Sequence, residues 1–175
     1  MSRARSLEEL REHAFELIKR FGIKMMTAKH VDRSFALPNQ RAVAVVPITG
    51  EVEYAVLLHE LGHILAPCGF LRPHMKPSDP VTLPVLRLIV EEERAAWEWA
   101  KHYAIDWTPT MEHICSITLG HYEQQLETTI MLERLGALLG PDFLKGLSSK
   151  PPHCEPAKPS RPTESMSDFL RRTKT

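Results

Sequence analysis

Residues 56–65, VLLHELGHIL, constrain this chain more than any other stretch. Apart from three polar residues the segment is apolar, which predicts a largely buried helix. Yet the same ten residues carry His59, Glu60 and His63. Burying three ionisable groups together is costly unless partners or an ion compensate. The fold must therefore wrap this helix while bringing something to its polar groups.

The spacing says what that something is. His-Glu-x-x-His places His59 and His63 one helical turn apart, with both imidazoles on one face. Two such nitrogens suit a tetrahedral zinc ion, which takes histidine and carboxylate ligands. Glu60 lies beside His63 at the helix surface and can reach a water there. A bound ion acidifies water to a pKa near ~7, and a neighbouring carboxylate then serves as general base.

A third ligand must come from elsewhere, and EEERAAWEWA, residues 91–100, is the candidate. It lies in a helical segment, residues 83–105, whose polar stripe is Arg87, Glu91, Arg94, Glu98 and Lys101. Glu91 belongs to that stripe. Glu92 and Glu93 flank the buried face, and periodicity alone does not separate them. Small neighbours, Ala96 and Ala100, favour Glu93, because they let its helix come close to the first. Trp97 and Trp99 read as packing residues.

The remainder of the chain supplies a scaffold. Its 175 residues suffice for one domain with a hydrophobic core. Residues 6–22 read as an amphipathic helix with a Ser6–Glu9 capping box and a stop at Gly22. No second helix follows at the spacing of a helix-turn-helix. Residues 33–48 read as a hairpin turning at Pro38-Asn39-Gln40, and residues 24–30 as a short extra strand. A further helix, with a break near Gly120, is expected over residues 110–139. The expected class is α+β: mostly helical, with a small antiparallel sheet packed on the His-Glu-x-x-His helix. One domain is expected over residues 1–147. The proline-rich residues 148–175, with six basic and three acidic side chains, read as a disordered tail.

Composition excludes several functions. With 22 acidic and 22 basic residues the net charge is zero, so direct nucleic-acid binding is not expected. No apolar run is long enough to span a membrane, and the N-terminus lacks a signal-peptide core. Three widely spaced cysteines, Cys68, Cys115 and Cys154, fit free thiols in the cytosol. Residues 67–80, with four prolines, read as a long loop of the kind that can cover a site. The edge of the hairpin, residues 42–46, is an expected docking strand for an extended peptide. Tyr103, His74, His113 and His121 are candidate donors to a tetrahedral oxyanion.

A strand hairpin, then YAVLLHELGHIL, then an acidic helix of the form E-x-x-A-x-x-W-A resembles the ImmA/IrrE family of zinc metallopeptidases. The resemblance covers about residues 33–105. It implies a compact zincin-like fold, one Zn2+ held by His59, His63 and Glu93, and Glu60 as general base. It further implies cleavage of a protein partner such as a DNA-binding repressor, often in mobile elements or phages. The family usually continues with leucines, a methionine and a proline, where this chain reads KHYAIDWTP. The alternative expectation is an inactive, metal-stabilised regulator that binds through its hairpin edge or basic tail.

Overall fold

A computed structural model describes residues 5–27, 33–66 and 81–139. The elements in chain order are α1 (Leu7–Arg20), β1 (Lys24–Thr27), β2 (Phe35–Leu37), β3 (Ala42–Val45), α2 (Glu51–Leu65), α3 (Leu83–Tyr103) and α4 (Pro109–Leu139). This is a mostly helical fold with one small sheet. Residues up to Leu132 form one compact unit; of a second unit, residues 133–175, only the last turns of α4 are described. The expected covering loop and the proline-rich tail, with Cys68, His74 and Cys154, lie outside the described residues, as does the expected boundary at residue 147.

Local chemistry sets each element. Ser6 Oγ accepts from the Glu9 amide while Glu9 Oε2 accepts from the Ser6 amide, completing the capping box of α1. Gly22, at φ +61°, turns the chain out of the helix toward β1. Between β2 and β3 a short 3-10 turn, Pro38–Gln40, closes through Arg41, which adopts the left-handed conformation. Pro84 in the first turn of α3 and Pro109 at the start of α4 occupy positions where a missing amide hydrogen costs nothing. No break occurs at Gly120; α4 runs through it without interruption.

The sheet has the order β1-β3-β2. β2 and β3 form the expected antiparallel hairpin, with Ala36 opposite Val43. β1 adds on the far side, parallel to β3, so the sheet is mixed. This corrects the expectation that residues 42–46 offer a docking edge: β3 is paired on both sides, and its run of apolar side chains is buried throughout. The edge strand next to α2 is β2.

The core forms where α1, the sheet and α3 meet on α2. Leu57, Leu58 and Leu61 are wholly buried, as are Tyr54 and Ala55. Each such leucine contributes about 1.5–3 kcal/mol on burial. α2 packs most extensively against α3, and Gly62 explains why. A Cβ added there would lie 2.8 Å from the Ala96 Cα and would also strike the Ala96 carbonyl oxygen. The two helices thus touch backbone to backbone, glycine against alanine. Tyr54 ties the core ends together, its hydroxyl accepting from the Ile105 amide and bonding His13 Nδ1 at 2.8 Å.

A candidate metal centre

The close crossing at Gly62 and Ala96 brings together the polar residues of both helices. His59 and His63 project from consecutive turns of α2, their Nε2 atoms 3.0 Å apart. Glu93 reaches them from α3, with Oε2 at 3.2 Å from His59 Nε2 and Oε1 at 3.7 Å from His63 Nε2. All three side chains are buried, Glu93 to 1% exposure. Within the acidic run, Glu91 is exposed, while Glu92 and Glu93 are both buried. Only Glu93 turns its carboxylate to the histidine pair among the described residues.

The donor set fits a divalent cation. Zinc bonds of ~2.0–2.1 Å to nitrogen and oxygen, in tetrahedral arrangement, separate neighbouring ligand atoms by ~3.3 Å. The three separations here, 3.0, 3.2 and 3.7 Å, bracket that value. Two imidazoles and a carboxylate from outside the motif form a cluster consistent with a zincin-type site.

Glu60 lies on the same wall of the site but does not join the cluster. Its Oε2 accepts a 2.7 Å hydrogen bond from the Ala36 amide of β2. β2 is an edge strand of the sheet, and Glu60 satisfies this one of its amides. Burial pushes the Glu60 carboxyl above the usual range; His59, the Ala36 amide and Arg33 pull the other way, and Glu93 adds to the rise.

The cluster opens into a cavity of about 540 Å³. It is lined by His59, Glu60, His63 and Glu93, together with Val56 and Trp97. β2 and the turn after it, from Phe35 to Gln40, also line it, as do Thr118 and Tyr122 of α4. A cavity combining apolar walls with a few converging polar groups is the usual form of a small-ligand or peptide site.

Of the candidate oxyanion donors, the three that are described, Tyr103, His113 and His121, lie away from the cavity lining. Tyr103 packs in an aromatic cluster, 4.4 Å from Trp99 and 5.4 Å from Phe21 between ring centres. His113 and His121 are exposed on α4. None of the three lines the cavity, whereas Tyr122 does. Its only sequence signal was Thr118 four residues earlier, which places two hydroxyls on one helical face. Cys115 sits in the core, and burial raises its thiol pKa. Trp97 is buried as expected, yet it also borders the cavity.

No protein-family model matches the chain, and neither curated proteins nor solved structures yield a significant match. No described helix is long and apolar enough to cross a membrane.

Proposed function

We propose that this chain is a zinc-dependent endopeptidase of the ImmA/IrrE kind, acting in the cytosol on a protein partner, with a DNA-binding repressor the first class to test. The observation that carries the reading is the convergence of His59, His63 and Glu93 at one end of a cavity that Glu60 also faces. The two imidazoles and the Glu93 carboxylate would hold the ion. When bound, zinc supplies Lewis acidity, polarising a carbonyl and acidifying water.

The chain's own residues do the remainder. Glu60 stands next in sequence to the first ligand, facing the cavity, where its carboxylate can take a proton from the attacking water and pass it to the leaving amine. β2, an edge strand that lines the cavity, supplies the nearby strand edge for an extended peptide. Tyr122 and Thr118 face the same space from α4. A purely structural zinc site is closed and has no use for a base beside a cavity.

One observation favours a second reading, a metal-stabilised binding protein without hydrolysis. The Glu60–Ala36 bond gives this carboxylate a structural task, clamping β2 to α2. Glu60→Gln separates the two. The amide keeps an acceptor for Ala36 but cannot accept the proton. The zinc-loaded variant is expected to retain the ion and the fold while losing cleavage of candidate repressors. Equal cleavage by variant and wild type would remove Glu60 from the chemistry, and no cleavage by the loaded wild type would favour the binding protein.

A further inference from the structure

A metal-binding histidine normally donates its second ring nitrogen to a carboxylate or carbonyl, which fixes the ring's orientation. His59 lacks that support: its Nδ1 is buried and has no hydrogen-bond partner among the described residues. A ring attached to a helix by two rotatable bonds still needs something to hold it. Trp97 lies across its face, ring centres 4.2 Å apart and planes 28° from parallel. On another side His63 meets it nearly edge-on, at 4.5 Å and 78°.

Trp97 is placed for this by the helix that delivers Glu93. It follows Glu93 by four residues on α3, one turn on, and so shares its face. It is 2% exposed and further fixed by Trp107, whose ring meets it edge-on at 6.4 Å. An indole has a single broad surface and two side-chain torsions, so once packed it forms a rigid wall. The E-x-x-A-x-x-W-A element assigns its tryptophan to position 99, so Trp97 stands outside that pattern.

We propose that Trp97 is the positioning residue of the metal centre: its indole face, in place of a hydrogen bond at Nδ1, holds the His59 imidazole with Nε2 turned toward His63 and Glu93. The inference rests on the metal centre proposed above. It assigns to α3 both the third ligand and the orientation of the first.

The test compares Zn2+ and Co2+ affinity, by chelator competition, in wild type, Trp97→Phe and Trp97→Met, with the metal-free melting curve of each. Phe keeps an aromatic face; Met fills the space without one. Trp97→Phe is expected within about threefold of wild type, and Trp97→Met about 10–100-fold weaker, the usual range for losing a ligand's supporting partner. The Co2+ absorption bands of the Met variant should also shift, a change that lost packing alone does not produce. A Met variant that binds like wild type with unchanged bands overturns the proposal, as does a Phe variant as weak as Met. Should the Met variant not fold, the wild type decides by NMR. Stacking must move the His59 ring-proton resonances upfield through the indole ring current, and ordinary positions would refute the clamp. If the wild type binds no ion while those shifts are present, the metal centre fails and the stacking stands as packing alone.

Discussion

Gly62→Ala should destabilise this protein, although glycine to alanine inside a helix ordinarily does the reverse. Alanine is favoured over glycine by about 1 kcal/mol in a helix interior. Here the added methyl would sit 2.8 Å from the Ala96 Cα and 2.9 Å from its carbonyl carbon. Ordinary carbon contacts are about 3.5–4.0 Å, so α2 and α3 must part by about 1 Å. Backbone atoms cannot swing aside as a side chain does. Overpacking of this kind costs up to about 3 kcal/mol, which leaves a net loss of about 2 kcal/mol after the propensity gain. For a chain of this size that lowers the melting temperature by about 4–8 °C. The same parting would stretch the 3.2 and 3.7 Å separations between Glu93 and the histidines toward or beyond ~4 Å, away from the ~3.3 Å a zinc ion needs. Thermal unfolding of the metal-free protein and zinc titration of the folded protein read the two effects separately. A melting temperature equal to or above wild type would refute the backbone contact. A lowered melting temperature with undiminished zinc affinity would refute the link between that contact and the site.

Gly120→Ala provides the counterpart: nothing lies within 4 Å of the added methyl, so α4 should gain about 0.5–1 kcal/mol, seen as a raised melting temperature. His13 should make stability fall in mild acid. Burial lowers its pKa, outweighing the opposing pull of Glu16, where its Nδ1 meets the Tyr54 hydroxyl at 2.8 Å. The folded state therefore holds fewer protons than the unfolded one. This contribution is fully present above the unfolded value near 6.5 and is lost as pH falls through the depressed folded value. Denaturant unfolding of wild type and His13→Gln between pH 5 and 8 checks it; parallel pH profiles would show that His13 plays no part.

The parts legible in the sequence were those fixed by short-range rules. The Ser6–Glu9 box, the hairpin over Phe35–Val45 and the buried character of α2 all follow from spacing and turn chemistry within a few residues. The pairing of Glu93 with the histidines was half-legible. Ala96 and Ala100 pointed to a close helix crossing, but the other half of that contact, Gly62, lies in the motif itself and was not used. What could not be read depended on long-range placement. β1 joins β3 in parallel through pairing that no local pattern announces, and this turns β3 from an edge into the centre. Tyr122 enters the cavity because α4 runs back along α3, tied to it by Lys101–Glu112 and Arg94–Glu123, whereas Tyr103, nearer in sequence to Glu93, is taken up by Phe21 and Trp99. The Ala36–Glu60 bond likewise joins residues whose relation is set only by the sheet's seat on α2.

Zinc titration of the purified chain, stripped of metal and compared with Glu93→Gln, examines the centre most directly. Wild type should take up one equivalent, and the variant, nearly identical in shape but without the carboxylate charge, should bind far more weakly while remaining folded. A wild type that takes up no ion, or a variant that binds as tightly as wild type, would contradict the assignment of these three side chains to a shared cation.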